Sequence, residues 1–489
     1  MNYNEYKTIS AIPEASSMIE TFRAIGYNIE TAIADIIDNS ISANAKNIWI
    51  NFEWLGEDTW ISIKDDGVGM DENEIIQAMR PGSINPLNER TSKDLGRFGL
   101  GLKTASFSQA RKLTVISKKI NNTIVNWTWD LDFVNQIGDW KLIKYELNEN
   151  VLNEMSELKS GTIVLWNDID RQVKGISKED KNAMDKFLQT MQNVKKHIAM
   201  VFHKFIGSKR IKIYFQKRVI DAWDPFLVNE SSTQVFPEER ILNGEVKIVG
   251  FVLPHKSKLE EETYRIAEGI NGWNGQQGFY VYRNDRLLLA GDWLGIFRKE
   301  EHYKLARIQI EISNSLDLDW QIDIKKSIAR PPLVLKDQIK AYALNVRQRA
   351  VEVYRHKGRI VQQIAGQKFV PFWIEHRRGD KWFFKVNREN PILTKIKEHA
   401  KNDSDKAIET LLRFIEETIP SKSIYIKESE KPELQGSPFE ATNHEIIKNT
   451  MQLLYSNYLS QGISEDEAKK IISNTEPFNL YVQFIDFLI

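Results

Sequence analysis

Apolar residues recur at three- and four-residue spacing from Thr31 to Ala45 (TAIADIIDNSISANA), where Ile33, Ile36, Ile37 and Ile41 form one stripe. That period predicts an amphipathic helix whose other side carries Asp35, Asp38 and Asn39. Residues four apart share a helical face, so Asp35 and Asn39 point into the same space. The period then drops to two: Asn47–Glu53 (NIWINFE) and Thr59–Lys64 (TWISIK) alternate and are rich in Ile, Trp and Phe, as two paired strands would be. Asp71–Met79 reads as a short helix with an acidic first turn. Arg80–Leu95 (RPGSINPLNERTSKDL) is polar and turn-rich, the composition of a loop or lid. Leu113–Ser117, Thr123–Leu131 and Gly161–Trp166 read as further strands, and Val173–Lys204 as largely helical.

Beyond residue 205 a second block of strand candidates follows. Ser208–Val219, Val246–Leu253, Gly278–Leu289, Ala306–Ile312 and Trp320–Ile324 are strand candidates, and helical patterning resumes from Lys336. Asp403–Glu417 and residues 444–485 are helical in pattern, separated by a polar stretch, Pro420–Pro438, with three prolines. A chain of 489 residues exceeds one typical core. The predicted organisation is α+β in three parts: 1–205, 206–345 and a mostly helical 346–489.

Composition narrows the function classes. Hydrophobic residues at 42% and charged residues at 27% fit a soluble globular protein. Lys plus Arg and Asp plus Glu both number 67, so no global charge selects nucleic acid or an anionic membrane. No cysteine is present, which excludes disulfides, thiolate metal sites and cysteine nucleophiles. MNYNEYKTIS lacks the basic and apolar regions of a signal peptide, and no window approaches a membrane span, so a cytoplasmic location without membrane contact is expected. The eight histidines show no metal-ligand spacing.

Candidate chemistry follows the first two strands. Asp65-Asp66-Gly67-Val68-Gly69-Met70 places a carboxylate at a strand exit, with two glycines that allow sharp turns and close ligand approach. Asp65 there can accept a hydrogen bond from an exocyclic amine, although an acidic turn would read the same way. Gly96-Arg97-Phe98-Gly99-Leu100-Gly101-Leu102-Lys103-Thr104 opens into a predicted helix, and its glycines can expose several N–H groups to a phosphate. Lys103 and Thr104 can add a charge and a hydroxyl. Leu102 falls where a Walker A loop needs lysine, so this is not that motif. An Asp35 carboxylate one turn from the Asn39 carboxamide can activate a water beside a metal-bound phosphate, although an ordinary helix with a polar side would read the same way.

Acid-xxx-Asn on a helix, then DxGxG, then GxxGxG, then a Gly-Thr strand resembles, in that order, the Bergerat-fold or GHKL ATPases. IADIIDNSISA, DDGVGM and GRFGLGLKTAS look closest to the MORC and MutL-like branch, and the resemblance covers roughly residues 15–205. It implies an N-terminal Bergerat α/β sandwich with ATP and Mg²⁺ as ligands. Asn39 would coordinate the metal and Asp65 the adenine amine, with Gly67, Gly69 and Met70 shaping the pocket. The loop Gly96, Arg97, Phe98, Gly99, Leu100, Gly101, Leu102, Lys103 and Thr104 would wrap the phosphates, and Thr162 would support the adenine side. The family's base is usually glutamate; here that position is Asp35, one methylene shorter, which implies slow turnover or a nucleotide-binding switch. Asp38 would join the water network.

The strands of 206–345 resemble the ribosomal-protein-S5-like transducer domain of those proteins, in which a lysine on a loop reaches the γ-phosphate. Lys325 or Lys326, just after Asp323-Ile324, is the candidate, and a solvated basic turn is the alternative. Arg355–Arg388 interleaves basic and aromatic residues, suited to nucleic acid or to a solvated basic face over core aromatics. The expectation is a slow ATPase that closes as a homodimer on DNA or on a partner protein, possibly within a DNA-restriction or anti-phage defence system. A non-hydrolysing scaffold and a protein kinase using the same pocket are the alternatives.

Overall fold

The structure is a computed structural model that describes residues 9, 11–82, 101–317, 319–323, 329–355, 370–378, 381–398, 402–421, 424 and 444–488. These fall into two compact units, Met1–Tyr354 and Arg355–Ile489. Residues 83–95 of the expected lid (80–95), with Gly96, Arg97, Phe98, Gly99, Leu100, Lys325 and Lys326, lie outside the described residues.

The first unit begins with α1 (Ala15–Arg23) and α2 (Ile29–Ser42), followed by β1 (Asn47–Glu53), β2 (Trp60–Asp65), α3 (Glu72–Met79) and α4 (Gly101–Gln109). Then come β3 (Lys112–Lys118), β4 (Val125–Asp130), α5 (Leu131–Ile137), α6 (Glu149–Ser156) and β5 (Gly161–Asn167). Three helices, α7 (Asp170–Val173), α8 (Lys181–Val201) and α9 (His203–Gly207), precede β6 (Lys212–Phe215) and β7 (Arg218–Val219). The seven strands form one mixed sheet in the order β4-β3-β5-β2-β1-β6-β7, antiparallel except where β1 meets β6. Alternation sends Ile48, Ile50, Ile61, Ile63, Leu113 and Val115 to a core shared with Ile33, Ile36 and Ile37 of α2. The helix is therefore seated by its isoleucine stripe, and its polar face is left to do something else.

Local chemistry set the ends of these elements. The Asn28 side chain accepts from Thr31 N–H, so α2 starts at Ile29, two residues earlier than the period predicts. It stops at Ser42, with Asn44 left-handed at φ 60° just beyond. Asp71 and Glu74 form a capping box on α3. The long helix expected over Val173–Lys204 is three helices. Gly175 sits at φ 67°, and the Asp180 side chain caps α8 by accepting from Ala183 N–H. The strand expected to reach Leu131 ends at Asp130, whose carboxylate caps α5 instead.

A second sheet is built from β8 (Gln234–Val235), β9 (Glu239–Ile241), β10 (Val246–Val252), β11 (Gly278–Arg283), β12 (Arg286–Asp292) and β13 (Ala306–Ile312). Its order is β12-β11-β13-β10-β8, with β9 also on β10 and a parallel β11–β13 pair. Two short helices, α10 (Glu261–Ala267) and α11 (Gly272–Gly275), interrupt it, and α12 (Leu333–Arg355) packs on it through Leu335, Ile339, Ala343, Val346 and Ala350. Gly250 permits this, because a Cβ there would lie 2.4 Å from Val346 Cγ2. The strand expected over Trp320–Ile324 is not formed in 319–323; Trp320 is buried in a turn, its N–H donating to Leu316 O.

The second unit holds a hairpin, β14 (Trp373–Arg378) with β15 (Lys381–Val386), then helices Pro391–Glu398, Asn402–Thr418, His444–Ser460 and Glu465–Ser473. It is mainly helical, with a small core around Met451, Leu454, Tyr455 and Ile472.

Candidate active site

Asp35 and Asn39 stand one turn apart on α2, and their surroundings differ. Asn39 is exposed, its carboxamide available as a hard oxygen ligand. Asp35 is 3% exposed and its Oδ2 accepts a 2.8 Å hydrogen bond from Tyr27 Oη. Burial and the adjacent carboxylate raise the Tyr27 phenol well above its ordinary range, so it stays a donor. Thr104 in turn hydrogen-bonds to Tyr27, and Gly101, the first residue of α4, lies where a Cβ would be 3.6 Å from Asp35 Oδ2. The glycine-rich stretch thus delivers the N-terminus of α4 beside the carboxylate, while Thr104 itself is fully buried.

A second cluster lies across three strands. Asp65 on β2 faces Thr162 on β5, which faces Ser117 on β3. Asp65 Oδ2 accepts from Ser40 Oγ at 2.8 Å and Oδ1 from Gly67 N–H at 2.9 Å. Burial raises the Asp65 carboxyl above its ordinary value, and these two donors offset only part of that rise. Ser117 Oγ is 2.9 Å from Thr162 Oγ1 and accepts from Met70 N–H at 2.8 Å. A Cβ on Gly67 would meet Ala43 O at 2.8 Å, and one on Gly69 (φ 67°) would meet Lys118 O at 2.0 Å. Both glycines are needed for the backbone to pass so closely under the carboxylate.

The sequence profile of the "Histidine kinase-, DNA gyrase B-, and HSP90-like ATPase" family matches residues 27–162, which hold both clusters. Residues 27–162 form a GHKL ATPase domain. The chain is 33% identical to "ATPase morc-1" of Caenorhabditis elegans over 89 residues, 18% of this chain and 10% of that protein. It is 25% identical to "DNA mismatch repair protein MutL" of a Buchnera aphidicola strain over 207 residues, 41% of this chain and 32% of that protein. With "Chaperone protein HtpG" of Rickettsia canadensis it shares 27% over 180 residues, 34% of this chain and 25% of that protein. The matches span from a tenth to about a third of these relatives' lengths.

Within the GHKL domain, two expected site residues turn to other partners. Lys103 is 2% exposed and its Nζ donates to Ala78 O at 2.9 Å, in the last turn of α3. Burial pushes this lysine down to about 8. A cation at a helix C-terminus is favourable, and it ties the start of α4 to the end of α3. Asp38 is buried and faces Arg286 of β12, whose Nε lies 3.2 Å from Oδ2 and 3.3 Å from Oδ1. Leu102 lies on α4, partly buried.

Tyr27, Ser40, Ser117 and Arg286 escaped the sequence reading. None carries a motif signal: Tyr27 precedes its helix, Ser117 ends an ordinary strand, and Arg286 sits in a turn more than two hundred residues away in sequence. Among the described residues no group of three or more His, Asp or Glu could hold a metal ion. Magnesium bound through one side chain, waters and substrate phosphates does not require such a group, so the exposed Asn39 amide oxygen fits the ion. No helix among the described residues is long and apolar enough to cross a membrane.

Proposed function

We propose that the chain binds ATP with Mg²⁺ over the polar face of α2 and hydrolyses it slowly. The observation that carries this reading is the arrangement of one buried carboxylate, Asp35, held by Tyr27 one helical turn from the exposed Asn39. Asp35 acts as the base that takes a proton from the attacking water, and Asn39 holds the metal, which supplies charge neutralisation on the phosphates. Asp65, backed by Ser40, Ser117 and Thr162, accepts from the adenine amine; Gly67, Gly69 and Met70 shape that end. The stretch from Gly96, Arg97, Phe98, Gly99 and Leu100 to Gly101 cradles the phosphates, while Leu102, Lys103 and Thr104 anchor it from beneath. Positioning and charge stabilisation supply most of the acceleration.

The expected boundaries at 205 and 345 shift, because β6 and β7 complete the seven-stranded sheet and α12 packs on the second sheet: the ATPase part takes in β7 (Arg218–Val219), the second sheet with α12 is an S5-like transducer, and residues from Arg355 onward are a partner-binding part. Lys325 or Lys326 reports the γ-phosphate. What supports that placement is Asp323, two residues before Lys325, whose charge bears on the Tyr27 phenol. ATP then closes two copies on DNA or on a partner protein, the clients suggested by a mismatch-repair protein and a chaperone among the relatives. A place in an anti-phage system is the corresponding biological role. A non-hydrolysing switch is the second reading, favoured by one fact: Asp35 Oδ2 is already engaged by Tyr27.

The test is incubation with γ-labelled ATP and Mg²⁺, followed by separation of products. Label in free phosphate is expected. Label on protein would replace the ATPase with a kinase, and unhydrolysed but bound ATP would leave the switch.

A further inference from the structure

The turn joining β11 to β12, Arg283-Asn284-Asp285-Arg286, is a two-residue hairpin turn with Asn284 and Asp285 at φ 49° and 66°. Each of its four residues is tied to a different place. Arg283 Nη1 lies 2.6 Å from Asp317 Oδ2, and Asn284 Nδ2 donates to Asn314 Oδ1 at 3.0 Å. These attachments hold the turn against Asn314 and Asp317, just beyond β13. Asp285 pairs with Arg210 at 2.7 Å and with Lys204 of α9 at 3.5 Å. Arg286 reaches α2.

The geometry around Arg286 is asymmetric. Its Nε points at both oxygens of Asp38, while Nη2 stops 3.8 Å from Asp35 Oδ1. Nη1 donates to Leu287 O at 2.8 Å, and the guanidinium carbon lies 5.8 Å from the Phe202 ring centre. Asp38 is thus the anchor, and Asp35 receives the field of the cation without a short hydrogen bond to it. The three side chains are 1–3% exposed. His197, also near Arg286, is pushed down to about 4 by burial and by that guanidinium, so it adds no charge at neutral pH. A buried ion pair of this kind is poor value as a stabiliser, because desolvation offsets most of the attraction. Its placement beside the water-activating carboxylate gives it a different use.

We propose that Arg286 is a positioning residue: braced on Asp38, it orients the Asp35 carboxylate, so that hydrolysis depends on β12 being seated against α2. The inference rests on Asp35 being the base. It adds that the second sheet supplies part of the hydrolytic machinery from behind the helix, on the side away from the nucleotide. The same turn is held by Asn314 and Asp317, so the seating of the guanidinium depends on that part of the second sheet.

The test compares wild type, Arg286→Lys and the double variant Arg286→Ala/Asp38→Asn, which removes the cation and one of the two buried carboxylates together. Each is assayed for folding by thermal melting, for ATP affinity with a fluorescent ATP analogue, and for kcat by phosphate release. The expected result is a folded double variant with affinity within about twofold of wild type and kcat lowered about tenfold or more. Arg286→Lys, which keeps charge but loses the planar fork, falls between. A folded double variant with wild-type kcat overturns the inference alone. So does one whose loss lies entirely in affinity, or one that cannot fold while Arg286→Lys turns over normally. Absence of phosphate release from the wild type overturns the hydrolysis reading, and this inference with it.

Discussion

Tyr27 Oη donates a hydrogen bond to Asp35 Oδ2 at 2.8 Å, fixing one oxygen of the carboxylate proposed as the base. The phenol comes from the residue before the cap of α2, so the bond also ties the entry of the helix to its middle. Tyr27→Phe removes the donor and leaves a buried carboxylate oxygen short of a partner. A hydrogen bond to a charged group contributes about 1.5–3 kcal/mol. Urea unfolding is expected to show a loss of about 2 kcal/mol, with turnover falling because Asp35 gains rotamer freedom. Unchanged stability and unchanged phosphate release would show that Asp35 does not depend on this contact.

Adenine recognition rests on Asp65. Asp65→Asn keeps the shape but leaves one carboxamide oxygen where two carboxylate oxygens now accept, one from Ser40 Oγ and one from Gly67 N–H. With that oxygen held by Gly67 N–H, the N–H₂ faces Ser40 Oγ, which must turn to accept, and the charged acceptor for an adenine amine is lost. ATP affinity measured by titration calorimetry is expected to fall by about 2 kcal/mol, roughly thirtyfold. An affinity equal to wild type would remove Asp65 from the site.

How much of this was legible beforehand differs by level. The helix of α2, the strand pairs and the glycine turns follow from periods and turn chemistry, which are local. Helix ends were misplaced where a single side chain decided them, as Asn28 and Asp180 do. The acid-xxx-Asn and DxGxG patterns located Asp35, Asn39 and Asp65. Their supports did not show, because Tyr27, Ser117 and Arg286 act by tertiary contact, and sequence separation hides it. Asp38 and Thr104 illustrate the converse. Both lie inside motifs, yet Asp38 faces a strand of the second sheet and Thr104 faces Tyr27.

Acid should weaken the fold through His203. Its ring Nε2 lies 2.7 Å from Tyr282 Oη, and burial, helped by Lys204, pushes it from 6.5 down to about 3. The unfolded chain therefore takes up the proton first as pH falls. This group costs nothing above about pH 6.5 and progressively destabilises from there toward 3. At one pKa unit per about 1.4 kcal/mol, the loss at pH 4.5 is on the order of 2–3 kcal/mol. Urea midpoints at pH 7 and 4.5 should therefore differ less in His203→Gln than in wild type. Equal differences would mean that other groups account for the acid sensitivity.

Of the two readings of Arg355–Arg388, nucleic-acid contact or a solvated basic face, the first would fall on the β14–β15 hairpin. Phe384 is 49% exposed, Lys385 lies 5.7 Å from the Phe383 ring centre, and His376 stacks on that ring at 5.5 Å. Arg388 is tied to Glu409 and Glu416 and is not counted among the contacts. Lys385→Ala with Phe384→Ala should weaken DNA binding at low salt, and the dependence on salt should decrease by about one phosphate contact. DNA binding that is undetectable with and without a non-hydrolysable ATP analogue would leave the protein client as the partner.

The most direct measurement of the central claim is steady-state phosphate release by Asp35→Asn beside wild type at saturating Mg²⁺ and ATP, with affinity measured in the same samples. Slow turnover by the wild type, a fall of about a hundredfold or more in the variant and an affinity within about threefold are the results the account predicts. Equal release by the two proteins would contradict it.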